Sequence, residues 1–201
     1  MRTLCVLMVY CLFTALAAEK NSSLSDNQCR ILILRHGETE WNVLGKRQGW
    51  EDIPLNEEGR RQARCVSEDL INTPITRVYA SSLSRAVETA EIIAAPHKIS
   101  VVADPVLRFY KHKKKWFDYL KTKKRREAEM RKEITTDALS YLKELSFQCP
   151  GQTVLIVTHR SVVKHILEGL GSHFPKNRVA SNVEVIQVIG EDGFLFLEKG
   201  V

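Results

Sequence analysis

The sequence predicts an α/β fold: a mostly parallel central sheet with helices on both faces and a terminal β-hairpin. Three observations predict it. Short β-prone runs alternate with stretches of helical period, the pattern that builds parallel sheets. In Arg30–Leu34 and Thr153–Val157 every residue after the first is apolar, as in strands covered on both faces. Both stop abruptly at polar groups, Arg35-His36 and His159, at the carboxyl ends where open α/β sheets bind ligands.

The elements follow in order. Asn21 to Gln28 is a polar lead-in, and Arg30 to Leu34 is the first strand. Glu40 to Leu55, with Gly45, Gly49 and Pro54, reads as a loop. Asn56 can cap a helix that starts at Glu57, where two acids favour the first turn. Its apolar set Ala63, Val66, Leu70 and Ile71 has helical spacing out to Asn72, and Pro74 stops it. Arg77–Ala80 is a short strand. Ser82 or Ser84 can cap the next helix, which runs to Ala95, before Pro96. Ile99–Val102 is a third strand, and Lys111–Phe147 reads as mostly helical. Thr153–Val157 is the fourth strand, and Ser161–Leu170 is a helix ended by Gly171. Glu184–Ile189 and Phe194–Leu197 form the terminal hairpin around Asp192-Gly193.

The chain has 201 residues, 44% of them hydrophobic, enough for one domain with a full core. Residues 1–17 read as a cleaved signal peptide: Arg2, then the apolar run Leu4 to Leu16, then the small residues Ala15 and Ala17. The run is shorter than the ~20 residues of a membrane-spanning helix, although an uncleaved anchor over 4–18 is the rival reading. The expected organisation is therefore a signal peptide, a lead-in at 18–29 and one domain at 30–201, exported to the periplasm or secreted. Cleavage leaves Cys29, Cys65 and Cys149, which read as buried or idle thiols; export makes a disulfide an alternative. No Cys or His spacing suggests a metal, and no cofactor is expected.

Charge is distributed unevenly. Lys111 to Lys132 holds eleven Lys or Arg and three acids, a net +8. The whole chain carries +6, and loss of Arg2 would leave +5, so the rest of the mature chain is net negative. A solvated helix face is the plain reading. An electrostatic funnel for anionic substrate, or an anionic surface contact through 111–132, are the sharper ones. Nothing specifies nucleic acid.

Three motifs carry chemistry: RHGETEWN from Arg35, SSLSRAVETAE after the second strand, with Arg85, and THR ending at Arg160, with His159. A cation beside a nucleophilic imidazole suits a phosphoryl group. In this order the motifs resemble the histidine phosphatase superfamily, a phosphoglycerate-mutase-like fold, from about Ile31 to Leu197. The resemblance implies that His36 is the nucleophile that becomes phosphorylated. It also implies that Arg35, Arg85 and His159 form the phosphate pocket, that Asn42 assists, and that Gln48 and Gly49, beside Trp50, border the substrate. It implies neighbouring strands before His36 and His159, which would let Cys29 and Cys149 meet at the opposite sheet end. It implies no metal.

For that chemistry the attacking nitrogen of His36 must be unprotonated, with the other nitrogen oriented by a backbone carbonyl. Nearby arginines would keep the ring neutral and would bind phosphoryl oxygens. Plainer readings stand beside each assignment: Arg85 as a surface helix residue, His159 as a structural histidine, Asn42 as a loop residue, and 48–50 as a turn with a packed Trp. His97, His112, His165 and His173 read as structural or surface residues.

The sequence departs from the family in its general acid, and Arg160 follows His159 where another branch has an aspartate. Many members carry a glutamate in a stretch like Leu-Arg-Glu that protonates the leaving oxygen. Here the stretch is Leu107-Arg108-Phe109, and phenylalanine donates no proton. Asp118 is the nearest spare acid and Asp104 a second candidate. The expected function is an exported phosphatase acting on phosphate esters or phosphohistidine of a small molecule or phosphoprotein, favouring good leaving groups. The alternatives are a phosphate-binding module weakened by loss of the acid and, less favoured, a phosphoglycerate mutase.

Overall fold

The computed structural model describes residues 24–108, 127–172 and 185–198. The leader, His112, Asp118, His173 and nearly all of the basic segment lie outside them. Six strands form one sheet: β1 (Gln28–Arg35), β2 (Ile75–Ser81), β3 (Val101–Asp104), β4 (Thr153–Thr158), β5 (Val185–Glu191) and β6 (Phe194–Leu197). Their spatial order is β3-β2-β4-β1-β5-β6. The first four strands are parallel; β5 and β6 add an antiparallel margin. The helices are α1 (Glu40–Val43), α2 (Glu57–Asp69), α3 (Ser84–Ala94), α4 (Glu127–Gln148) and α5 (Arg160–Gly169).

The alternation of side chains along β1 and β4 divides the core in two. Ile31, Ile33, Val154 and Ile156 pack with Leu142 of α4 and Val163 of α5. Leu32, Leu34, Leu155 and Val157 pack with Val66 of α2 and Ile93 of α3. Both faces are covered, which is why these strands read as continuous apolar runs.

The register of β1 and β4 positions the site. Arg35 lies opposite Thr158, and the His36 amide donates to the Thr158 carbonyl at 3.0 Å. Both strands therefore release a histidine at the same edge, side by side. The connection after β1 is clamped by two glycines. A Cβ on Gly59 would lie 2.1 Å from the Glu38 carbonyl oxygen, and one on Gly37 would lie 2.6 Å from that of Gly59.

Several boundaries differ from expectation. The loop after β1 contains α1, begun by a capping box between Thr39 and Asn42. Asn56 does cap α2, but that helix ends at Asp69, before Asn72. Ile75 is buried and pairs with Thr153, so β2 starts two residues early. Residues 95–98 form a tight turn, which moves β3 to Val101–Asp104. Neither Ser82 nor Ser84 caps α3. Leu83 holds that position, and the carboxylate of Asp52 accepts from both the Ser84 amide and its hydroxyl, at 2.7 and 2.8 Å. The hairpin turn has positive φ at both Asp192 and Gly193, as its tight two-residue form requires.

Cys29, Cys65 and Cys149 are free thiols. Cys29 and Cys149 are buried in one apolar cluster at the amino end of β1, and Cys65 is exposed on α2.

Candidate functional site

Four of the expected residues converge at the carboxyl ends of β1 and β4. Arg35, His36, Arg85 and His159 are all buried, and the two imidazoles lie 5.3 Å apart, edge to face. His36 Nδ1 is 2.7 Å from the Gly37 carbonyl oxygen. A carbonyl only accepts, so Nδ1 carries the proton and the Nε2 lone pair of the neutral ring is left for reaction. The expected backbone acceptor is thus that of the next residue.

Burial, then the Arg85 and Arg35 charges, hold His36 well below the usual imidazole range, against the opposing bond to Gly37. His159 is lowered by burial, then by Arg85, His36, Arg35 and Arg108. Both rings are neutral at physiological pH. Burial also lowers Arg35 and Arg85, each to about 10, which leaves both cationic.

Arg85 sits in the first turn of α3 and reaches across to the loop after α1. Its Nη1 donates to the Glu51 carbonyl at 2.8 Å and its Nη2 to the Gly49 carbonyl at 3.1 Å. Its Nε is buried and bonds nothing. An unsatisfied buried donor costs about 1–3 kcal/mol, and a bound anion would remove that cost. Gly49, at φ +52, supplies the carbonyl through a conformation that favours glycine.

Gln48 is buried; its Nε2 donates to Thr39 Oγ1 at 2.7 Å and its Oε1 has no partner. The Asn42 side-chain oxygen is used in the cap of α1, which leaves its amide nitrogen as the group it can offer a ligand. Asp104 is turned elsewhere. Its carboxylate accepts from the Val106 amide at 2.8 Å and bonds the Tyr141 hydroxyl, so it is not an acid of this pocket. Phe109 and Asp118 lie outside the described residues. His165 is buried on α5 with Nδ1 3.3 Å from Glu168, and His97 sits in the turn after α3; neither belongs to the pocket.

Other residues join the site that the sequence reading left without a role. Ser81 is fully buried, and its hydroxyl hydrogen-bonds His159 Nε2 at 2.8 Å. Thr89 accepts from the Gly37 amide at 3.0 Å and donates to the Arg85 carbonyl at 2.7 Å, tying the two arms of the pocket together. Asp52 holds the start of α3. Ser81 and Thr89 lie four residues to either side of Arg85 in a quoted motif, which was the available signal.

This convergence can hold a tetrahedral anion between fixed cations and present a neutral imidazole to it. Comparison with known proteins agrees. The family model "Histidine phosphatase superfamily (branch 1)" matches residues 31–195. The chain belongs to this superfamily. Among curated relatives, a probable phosphoglycerate mutase GpmB of Proteus mirabilis is 46% identical over 79 residues, 39% of this chain and 37% of that protein. Phosphoglycerate mutase-like protein 4 of Arabidopsis thaliana is 50% identical over 80 residues, 39% of this chain and 35% of that one. These matches span little more than a third of either relative's length.

Solved structures match more broadly. YhfR of Bacillus stearothermophilus superposes with a TM-score of 0.67 at 26% identity, covering 84% of this chain and 95% of that one. A phosphoserine phosphatase of Entamoeba histolytica, solved with 3-phosphoglyceric acid, gives 0.67 at 25% identity, covering 85% and 95%.

Proposed function

We propose that this chain is a phosphatase that hydrolyses phosphate esters or phosphohistidine through a phosphohistidine on His36. The observation that carries the reading is the 2.7 Å bond from His36 Nδ1 to the Gly37 carbonyl, set among two buried arginines and a second neutral imidazole. His36 Nε2 attacks phosphorus, a P–N bond forms, and the bond to the leaving oxygen breaks. Water then attacks the phosphohistidine, the P–N bond breaks, and inorganic phosphate leaves. Arg35 and Arg85 stabilise charge on the non-bridging oxygens in both steps. His159, Asn42 and Gln48 complete the oxygen contacts, with Gly49 shaping the loop.

The departing oxygen needs a proton when it leaves as an alkoxide, and Phe109 cannot give one. The reading therefore favours good leaving groups, with Asp118 as the reserve acid. Comparable kcat/KM on an aryl and a simple alkyl phosphate would contradict the preference. Loss of alkyl activity alone in Asp118→Ala would assign the acid.

The direct test is an aryl phosphate assay of the wild type and His36→Ala, with mass spectrometry for phosphate on His36. Turnover and a phosphorylated His36 are expected. Phosphate binding without turnover would make the chain a binding module. The curated relatives' names favour one second reading, a mutase, in which the phosphohistidine passes to an alcohol instead of water. Interconversion of phosphoglycerates would reveal it. Export belongs to the same proposal, and amino-terminal sequencing of secreted protein would show cleavage after residue 17. An anionic contact through 111–132 would be weakened by charge reversal at Lys113, Lys114 and Lys115.

A further inference from the structure

One arginine at this pocket has no part in the scheme above. Arg108 follows the short turn Pro105–Leu107 after β3 and is half-buried. Its Nε donates to the Ser82 hydroxyl at 2.7 Å, and its guanidinium carbon lies 4.7 Å from the centre of the Trp50 ring. Both anchors place it at the pocket. Ser82 adjoins Ser81, the partner of His159. Trp50 lies between Gly49 and Glu51, whose carbonyls hold Arg85. Arg108 therefore spans from the neighbour of one pocket partner to the neighbour of the others, and its charge is felt at His159.

The restraint is one-sided. With Nε on Ser82 and one face on the indole, the two Nη amino groups remain, and no carboxylate among the described residues pairs with them. Those two groups form the fork that grips a carboxylate or phosphate through two parallel bonds. The Trp50 Nε1–H is a second donor that is buried without a partner. The scheme above assigns the phosphoryl group to Arg85 and Arg35, which leaves this further oriented cation for a different task.

We propose that Arg108, held by Ser82 and Trp50, is a second anion subsite that binds an anionic oxygen group on the leaving moiety of the substrate. This rests on the phosphatase reading and narrows it: the substrate is a phosphate monoester carrying a carboxylate or a second phosphoryl group a few bonds from the ester oxygen. Because the guanidinium is already fixed, little side-chain freedom is lost on binding, and discrimination falls mainly on KM.

The test compares four alkyl esters of similar size and similarly poor leaving groups, so that their ratios read recognition of the leaving moiety and not its leaving ability: phosphoglycolate, ethylene glycol bisphosphate, 2-hydroxyethyl phosphate and 2-aminoethyl phosphate. Wild type should favour at least one of the two anionic esters over the neutral one by about 10- to 100-fold in kcat/KM, the range of charge-assisted hydrogen bonds, with the aminoethyl ester last. Whichever anionic ester leads identifies the group as carboxylate or phosphoryl. In Arg108→Gln the anionic-to-neutral ratio should fall to about 1 through KM, and Arg108→Lys should recover part of it, since a point charge replaces the fork. A wild-type ratio near 1, or an Arg108→Gln defect equal on all four esters, overturns the subsite.

Calorimetric binding of the same four compounds to His36→Ala reads the subsite without turnover. An anionic preference there, lost in the double variant with Arg108→Gln, supports the subsite even when the wild type is inactive on an aryl phosphate and the phosphatase reading fails. Equal binding of anionic and neutral esters overturns it whatever the turnover.

Discussion

The two ends of the β1–β4 pair share one hydrogen-bond ladder and differ in almost everything else. At the amino end, under α4, Cys29, Ile31, Cys149 and Val154 are fully buried. Burial pushes the Cys29 thiol up to about 12 and raises Cys149 as well, so both stay neutral. The adjoining turn is satisfied by backbone bonds, Gly151 N–H to the Gln28 carbonyl at 2.7 Å and Arg30 N–H to that of Gln152 at 2.9 Å. At the carboxyl end the same strands bury two histidines against two arginines and leave Arg85 Nε, Gln48 Oε1 and Trp50 Nε1 unsatisfied. One end stores stability. The other holds polar groups at a cost, and for the two donors, Arg85 Nε and Trp50 Nε1, a bound anion would offset it.

That contrast can be broken from either side. Arg85→Ala should lower kcat by about 10²–10³ on an aryl phosphate, as removal of a single oxyanion donor does, while relieving the like charge between Arg85 and Arg35. Relief of the buried charge and loss of the bonds to Gly49 and Glu51 oppose each other, so an unfolding midpoint near that of the wild type would accompany the loss; unchanged kcat would remove Arg85 from the chemistry. Ile31→Ala should do the reverse. It leaves a hole at the amino end and lowers stability by about 2–5 kcal/mol in denaturant unfolding, with kcat/KM of the folded protein near wild type.

Ser81→Ala sharpens the comparison within the pocket. It strands His159 Nε2 in a buried place, at about 1–3 kcal/mol, and frees the ring to change tautomer. We expect kcat to fall roughly 10-fold or more, with partial recovery in Ser81→Thr. A kcat/KM–pH profile of Ser81→Ala that is simply scaled down from the wild type would mean that the hydroxyl does not set the protonation of His159.

The remaining effect is in pH. His36 and His159 titrate below the unfolded value, so the unfolded chain binds more protons as pH falls through about 6.5. Stability is therefore flat above that value and declines below it, by up to about 1.4 kcal/mol per unit for each ring, until the folded values are reached. Replacing both histidines with Asn should flatten the acidic limb of an unfolding-midpoint series. An equal slope in the variant would place the sensitivity elsewhere.

Much of this was legible in the chain. The continuous apolar runs before Arg35 and His159 announced doubly covered strands, because a buried strand has no solvent face to signal. The cap at Asn56 and the turn at Asp192-Gly193 were readable because their chemistry is local. Expectation failed where a distant group competed. Asp52 took the cap that Ser82 or Ser84 could have supplied, and the pairing of Ile75 with Thr153 outweighed the helical spacing of Leu70 and Ile71 in deciding where α2 gives way to β2.

Sequence alone determined which functional groups stand at strand ends, since period and abrupt polarity are properties of neighbouring residues. Only the tertiary structure decided that β1 lies beside β4, that Gly37 sets the His36 tautomer, and that loop carbonyls hold Arg85 while Ser81 and Arg108 reach the same pocket. Those outcomes depend on atoms brought together across long stretches of chain, where position along the sequence carries no distance information and the sheet register supplies it.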